Sequence, residues 1–124
     1  MNARLTLLTS MMLMAVNIAI GAFGAHALKD KLIMLGRTDT FELAMRYSFY
    51  HALGLMLLGF LMDRFPRLQI ASGLLIGGVI FFSGSLLVLS LTNQTWLGAV
   101  TPVGGLLMIA GWTAAGWVIF TSKR

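Results

Sequence analysis

The sequence contains no cysteine, only two prolines and few charged residues. Without cysteine the chain has no disulfide, no thiolate metal site and no cysteine nucleophile. Charged residues make up 10% of the 124 residues, whereas soluble domains carry about a quarter. Hydrophobic residues make up 58%, and the mean hydropathy is +0.88. A soluble core of this size could not bury so much apolar surface, so lipid must be the solvent for part of the chain.

Acidic residues are also scarce, with four against nine Lys and Arg and a net charge of +5. Basic residues at the ends of apolar segments are the usual mark of membrane orientation, so we expect no nucleic-acid partner. The sequence has no Gly-rich phosphate loop, no serine elbow and no zinc-binding helix motif. We therefore predict that the protein is not an enzyme and binds no metal or other cofactor.

Four long apolar stretches follow one another, at approximately residues 5–28, 41–62, 68–91 and 98–121. About 20 apolar residues span a bilayer core as a helix, and backbone groups in lipid must be satisfied within the segment. The sequence therefore predicts an all-α integral membrane protein, a single domain over 1–124 folded as a four-transmembrane-helix bundle. The first stretch is longer than the apolar region of a signal peptide, roughly 7–15 residues, so we expect it to be retained.

The connection between the first two helices carries its own local signals. Three leucines share one helical face, which predicts a short amphipathic helix at the membrane surface: Leu28, Leu32 and Leu35. Gly36 is the expected stop. Asp39 precedes Glu42 by three residues, a spacing that predicts a capping box for the second helix. Glu42 also precedes Arg46 by four residues, the favourable order for a helical ion pair.

The basic residues predict the orientation of the bundle. An even number of spans places both termini on one side, together with five basic residues: Arg4, Arg64, Arg67, Lys123 and Arg124. The opposite side carries four: Lys29, Lys31, Arg37 and Arg46. Because cytoplasmic loops carry the excess of Lys and Arg, we predict that both termini are cytoplasmic.

Glycine is abundant, with 14 residues, and small residues let helix backbones approach closely in lipid. We predict helix-packing contacts at six of them: Gly21, Gly24, Gly73, Gly77, Gly104 and Gly111. The first helix has two small faces that lie nearly opposite each other. One is formed by Asn17, Gly21, Gly24 and Ala25, and the other by Ala15, Ala19, Ala22 and His26. Such a helix belongs in the middle of a bundle, or between a bundle and a partner that is another membrane protein or a second copy of the chain.

His26 and His51 are candidate site residues, because ionisable groups inside a membrane are rare and usually functional. They lie near the same membrane face and could approach one another, and Tyr47, one turn before His51, could hydrogen-bond it. Two interpretations stay open. Each imidazole could be an interhelical hydrogen bond that fixes the bundle, or the pair could serve a proton relay, a quinone or head-group contact, or a metal or haem site.

Other polar residues complete the candidate site. Asn17 is buried in the first span and fits an interhelical hydrogen bond. Arg46 lies about 140° round the helix from His51 at ~100° per residue, so it does not share the pocket of that histidine. Tyr50, which precedes His51 directly, is the remaining residue of the candidate site. Five aromatic residues are interpreted mostly as interfacial anchors: Trp96, Trp112, Trp117, Tyr47 and Tyr50.

Two short blocks carry a family resemblance. Residues 21–28 read GAFGAHAL and residues 50–53 read YHAL. In a four-span chain of this length they resemble the DUF423 family, which includes the bacterial UPF0382 inner-membrane proteins and is similar to the eukaryotic transmembrane protein 256. The resemblance implies the fold, a location in the bacterial inner (plasma) membrane, and a centre at His26, Gly24, Tyr50 and His51. It implies nothing for residues 31–40 and supplies no reaction.

Three functions remain open on this basis. The leading hypothesis is a structural or accessory membrane protein that binds lipid, a membrane-protein partner or a copy of itself. The first alternative is a small transporter or proton-linked channel that uses His26 and His51. The second is a redox accessory that contacts quinone or haem. A proton path should fail with His51→Gln, whereas an accessory protein should tolerate that change if hydrogen bonding persists.

Overall fold

The structure is a computed structural model, and it describes residues 1–123. Its α-helices are α1 (Ala3–Ala25), α2 (Lys29–Leu35), α3 (Thr38–Leu61), α4 (Leu68–Val79), α5 (Ser85–Thr92) and α6 (Thr101–Thr121). A π-helical segment, Ile80–Gly84, joins α4 and α5 into one continuous rod. A 3₁₀ turn, Thr95–Ala99, leads into α6. The all-helical fold predicted from composition is confirmed.

Three helices are long and apolar enough to cross a membrane: Ala3–Ala25, Leu68–Thr92 and Thr95–Thr121. The helix α3 is as long, with 24 residues, but it is not among them. Its first half is less apolar, because it carries Glu42, Arg46 and His51 within three turns. Length and composition thus support three of the four predicted spans.

The least apolar long helix, α3, lies at the centre of the fold. It packs against α1 on one side and against α4 and α5 on another. Ala44, Ala52 and Leu55 of α3 are fully buried. In contrast, α1 packs mainly on α3 and leaves most of its other side chains exposed. The surrounding helices therefore shield two polar residues of α3, Ser48 and His51, which are 3% and 6% exposed.

The helices α1 and α3 run antiparallel along their whole length. Three contacts mark the register from one end to the other: Gly24 with Phe41, Asn17 with Ser48, and Thr6 with Met62. The N-terminal half of α3 therefore lies beside the C-terminal half of α1. Both helices cover the same depth of the bundle.

Both chain ends lie at one end of the bundle. Residues 1–3 border the same surface hollow as residues of the α3–α4 connection, including Met62 and Pro66. Arg64 and Phe65 of that connection share a second hollow with Phe120 and Lys123. At the opposite end, the Arg37 Nε–H donates to Asn93 Oδ1 at 2.8 Å and joins the start of α3 to the turn after α5.

The rod of α4 and α5 packs closely against α6, and glycine makes this possible. A Cβ at Gly104 would overlap the backbone nitrogen of Phe82 and lie 2.7 Å from the carbonyl carbon of Phe81, both in the π-helical segment. A Cβ at Gly78 would lie 3.1 Å from the carbonyl oxygen of Gly104. π-Bulges are rare and local, and here the bulge coincides with a close approach of two backbones.

The six predicted packing glycines fall into three groups. A Cβ at Gly24, Gly104 or Gly111 would overlap a neighbouring helix, and at Gly77 it would make an ordinary contact of 3.5 Å with Leu107. Gly21 and Gly73 have no heavy atom within 4 Å of the Cβ position. These two glycines therefore make no close helix contact within the chain.

Several local expectations can be compared with the structure. Gly36 ends α2 with φ +65°, as expected, and α2 buries Leu32 while Ile33 and Met34 stay exposed. The capping box at Asp39 is wrong, because α3 begins at Thr38 after Arg37 and has no side-chain cap. Asp39 instead lies in the first turn of α3, where a negative charge is favourable beside the helix dipole.

Candidate functional site

His51 lies in the middle of α3, is 6% exposed, and has both ring nitrogens engaged. Its Nδ1 lies 2.7 Å from the carbonyl oxygen of Tyr47, one turn earlier on the same helix. Its Nε2 accepts a hydrogen bond from the Trp112 Nε1–H on α6 at 3.1 Å. The Tyr47 and His51 rings also lie nearly parallel, with centroids 6.3 Å apart.

These two contacts fix the tautomer of His51. A carbonyl oxygen can only accept, so Nδ1 carries the proton, and Nε2 must then be the unprotonated nitrogen that receives the indole N–H. A second proton on Nε2 would face the N–H of Trp112. In this arrangement the lone pair of Nε2 accepts the indole N–H. The geometry is that of an interhelical hydrogen bond between α3 and α6.

Gly54 and Trp112 complete the contact around His51. A Cβ at Gly54 would lie 2.6 Å from Cζ2 of Trp112, so the missing side chain makes room for the indole. Trp112 is 41% exposed and sits midway along α6, not at its end. The interpretation of Trp112 as an interfacial anchor is therefore wrong.

Tyr47 packs on Phe82 of the π-helical segment, with centroids 4.7 Å apart, and Tyr50 is exposed on the outside.

Asn17 joins α1 to α3 one turn away from His51. Its Oδ1 accepts a hydrogen bond from the Ser48 Oγ–H at 2.8 Å, and Asn17 is 2% exposed. Its Nδ2 has no hydrogen-bond partner. Asn17 thus forms the interhelical hydrogen bond that its position predicts, and its partner is Ser48. Asn17 and His51 thus tie α3 to different neighbours, α1 and α6.

His26 and His51 do not form one site in this structure. His26 follows the last residue of α1 and is exposed. In the α1–α3 register, Asn17 lies level with Ser48, so His51 lies level with a residue near position 14 of α1. His26 is about 12 residues further on, which corresponds to roughly 18 Å at ~1.5 Å per residue. The two imidazoles therefore occupy different depths of the bundle.

A cavity of about 440 Å³ is lined by the end of α1, by Leu32 of α2 and by the first half of α3. Most of its wall is apolar or small: Gly21, Gly24, Ala25, Leu32, Phe41, Met45 and Phe49. Three polar residues of α3 complete the wall: Thr38, Glu42 and Arg46. The volume falls in the ~300–1,000 Å³ range of small-ligand pockets. An apolar pocket with a few convergent polar groups is suited to an amphiphile.

Glu42 and Arg46 do not neutralise one another in this cavity. Between residues 1 and 123, no Lys or Arg nitrogen lies within 4.0 Å of a carboxylate oxygen. The ion pair predicted from their spacing is therefore wrong for this structure. Both side chains are exposed and border the cavity. Arg46 lies apart from the His51 contact, as its position round the helix predicts.

Over residues 1–123 no three His, Asp or Glu side chains come close enough to hold a metal ion. The hydroxyls of Ser72 and Ser83 are buried without a hydrogen-bond partner, so neither touches a general base. The candidate site thus combines the cavity with the interhelical hydrogen bonds of His51 and Asn17.

Sequence reasoning did not find Trp112, Gly54 and Ser48 as partners in these contacts. Trp112 is 61 residues from His51, and no local pattern links residues so far apart. Gly54 is the one sequence feature that pointed to this contact. A glycine one turn after His51 leaves room on that face of α3 for a bulky side chain from a neighbouring helix. Gly21 and Gly24 share one face of α1 in the sequence pattern, and both border the cavity in the structure.

Comparison with known proteins places the chain in a family. Residues 20–105 match the model of the family described as "Protein of unknown function (DUF423)". The UPF0382 membrane protein SH2409 of Staphylococcus haemolyticus is 46% identical over 98 residues, covering 78% of this chain and 80% of that protein. The UPF0382 membrane protein YwdK of Bacillus subtilis is 39% identical over 102 residues, covering 77% and 79%. No solved structure matches the chain.

The matched range includes the whole cavity wall and His51, and it ends before Trp112. The names of these relatives describe membrane proteins and no enzymatic activity. The resemblance carried by the two short blocks is therefore confirmed, and this chain is a membrane protein of the DUF423 family, to which the UPF0382 proteins also belong.

Proposed function

We propose that this protein is a four-span component of the bacterial plasma membrane that holds a lipid in the cavity between α1, α2 and α3 and performs no catalysis itself. The observation that carries the proposal is the cavity, with its apolar wall and its two unpaired charges. A pocket at the end of a helix bundle is open to the acyl chains and head groups around it. The protein would act as a structural or accessory factor through the lipid it retains.

Packing supports α3 as the fourth span. It runs beside α1 over the full length of both helices, and α1 is apolar enough to cross a membrane. If α1 crosses the bilayer, α3 must lie at the same depth. The low hydropathy of α3 is compatible with a span, because Ser48 and His51 are buried against other helices. The exposed charges of Glu42 and Arg46 lie within the first nine residues of α3, towards one end of the helix.

The orientation of the bundle can be proposed on the same basis. The N-terminal residues, Lys123 and the α3–α4 connection share one end of the bundle. Four basic residues of the described chain belong to these segments: Arg4, Arg64, Arg67 and Lys123. The fifth basic residue predicted on this side, Arg124, lies outside the described residues. The excess of Lys and Arg favours the cytoplasmic side. Both termini and residues 62–67 would then be cytoplasmic, and the cavity would lie near the outer face of the membrane.

Cysteine labelling tests this topology, because the chain has no cysteine of its own. We expect that Asp30→Cys and Gln94→Cys react with a membrane-impermeant thiol reagent in intact cells, whereas Asp63→Cys reacts only after the cells are opened. All three positions are exposed, and removing an Asp has little effect on orientation. A three-span protein without α3 as a span would give a different result, with positions 30 and 63 on one side and position 94 on the other.

Filling the cavity tests the lipid-binding function. Gly21→Leu should reduce the lipid that remains bound to the purified protein by about tenfold, because the leucine side chain would occupy the cavity. The measurement is native mass spectrometry after mild detergent extraction. Gly73→Leu is the matched control, since Gly73 also has no atom within 4 Å of its Cβ position but does not border the cavity. Equal lipid retention by both variants and the wild-type protein would contradict the proposal.

The outer face of α1 supports a protein partner as well. Ala15, Ala19 and Ala22 are exposed there, and small residues in lipid allow close helix contact. This fits the predicted partner, which is another membrane protein or a second copy of the chain. The masses measured for lipid retention also report whether the extracted protein is a monomer or a homo-oligomer.

A further inference from the structure

The charges in the cavity wall indicate which class of lipid it selects. Thr38, Glu42 and Arg46 are spaced by four residues on α3 and all border the cavity. Residues four apart lie on one helix face, about one 5.4 Å turn from each other. A carboxylate and a guanidinium thus stand one turn apart on the same wall. The rest of the wall carries no charge.

The absence of an ion pair between these two residues leaves both charges available to a ligand. Glu42 and Arg46 have the sequence order that favours a helical pair, yet no carboxylate in the described chain has a Lys or Arg nitrogen within 4.0 Å. A ligand with a single negative charge would pair with Arg46 and leave Glu42 without a partner. A ligand that carries a positive and a negative group could pair with both.

We infer that the cavity binds a phospholipid with a zwitterionic ammonium–phosphate head group, of the phosphatidylethanolamine class. The phosphate would contact the guanidinium of Arg46, which suits phosphate oxygens in a bidentate geometry. The primary ammonium would donate to the carboxylate of Glu42. Two methylene groups separate these charges in the lipid, a spacing comparable to one helical turn. An acyl chain would follow the apolar wall formed by Phe41, Met45 and Phe49.

The inference rests on the proposed lipid-binding function and is tested by exchange. The purified protein is incubated with mixed vesicles of phosphatidylethanolamine and phosphatidylglycerol of identical acyl chains, re-isolated, and its bound lipid is identified by mass spectrometry. We expect the wild-type protein to retain phosphatidylethanolamine over phosphatidylglycerol by about fivefold, the effect expected of one exposed charged contact. Glu42→Gln should abolish this preference, and Arg46→Gln should reduce retention of both lipids by a similar factor.

Asp39→Asn is the matched control for Glu42→Gln, because Asp39 is an exposed carboxylate in the first turn of α3 that does not border the cavity. It should leave the preference unchanged. Equal retention of both lipids by the wild-type protein, together with loss of both in Gly21→Leu, would overturn the head-group inference and leave the lipid-binding function intact. Absence of any cavity-dependent lipid would overturn both. Loss of the preference in Asp39→Asn would show that surface charge, not the cavity, selects the lipid.

Discussion

Gly104→Ala should destabilise the folded bundle by about 3 kcal/mol or prevent its assembly, at the upper end of the cost of overpacking. The added Cβ would overlap the backbone nitrogen of Phe82 and lie 2.7 Å from the Phe82 Cα. Backbone atoms of a helix cannot rotate away as a side chain can. Relief would require α6 to move off the π-helical segment, and this would also separate Gly78 from the Gly104 carbonyl.

The neighbouring glycine is the matched control for this prediction. A Cβ at Gly105 would meet only Cδ2 of Phe82, at an ordinary 3.8 Å, so Gly105→Ala should be neutral or stabilise the helix by up to roughly 0.5–1 kcal/mol. Unfolding of each purified variant in detergent can be followed by the fluorescence of the three tryptophans. A Gly104→Ala protein as stable as Gly105→Ala would contradict the close packing of α4, α5 and α6.

The helices could be predicted from the sequence because apolar length and local stop signals act over a few residues. The four apolar stretches each correspond to long helical segments, and Gly36 ends α2 as its position indicates. The termini also meet at one end, as an even number of long helices requires. The π-helical segment gave no sequence signal, because it accompanies contact with Gly104, which is 20 or more residues away along the chain.

The arrangement of the helices could not be read from composition. The two small-residue faces of α1 suggested a helix in the middle of a bundle or between a bundle and a partner. The structure places α3 at the centre and α1 at an edge. The central position follows from polar residues: His51 and Ser48 are costly in lipid and must be covered on several sides. A polar helix among apolar ones is therefore the better indicator of the middle of a membrane bundle.

The candidate site was predicted in part for the same reason. His51, Asn17 and Arg46 are polar groups in apolar helices, so the sequence marks them, but it does not name their partners. Asn17 contacts Ser48, His51 contacts Trp112, and Arg46 borders the cavity. His26 and His51 seemed to form a pair because both lie near one chain connection. The antiparallel register of α1 and α3 separates them, and register depends on packing along the whole helix.

His51→Ala should lower the free energy of unfolding by about 3 kcal/mol. The change removes a ring that is 6% exposed and leaves a cavity, a change that in cores typically costs at least about 2 kcal/mol. It also removes two hydrogen bonds, to the Tyr47 carbonyl and from the Trp112 indole, each worth about 0.6 kcal/mol on average in a membrane protein. His51→Gln keeps one donor and one acceptor, so it should lose about half as much. Detergent unfolding of the purified variants measures both values.

His26→Ala is the matched control, because it removes the same side chain from an exposed position at the end of α1, where substitutions typically change stability by less than about 0.5 kcal/mol. Trp112→Phe removes the indole N–H and leaves His51 Nε2 without its donor, so its cost should shrink in the His51→Ala background, as contacting residues require. Additive costs would show that the two side chains do not interact.

If His51→Gln instead kept full stability but abolished a measured proton flux, the proton-path alternative would replace the interhelical hydrogen bond as the role of His51. If His51 acts as an interhelical hydrogen bond, the His51 and Trp112 substitutions should both lower the stability of the protein. The fraction that remains folded should then retain as much lipid as the wild-type protein.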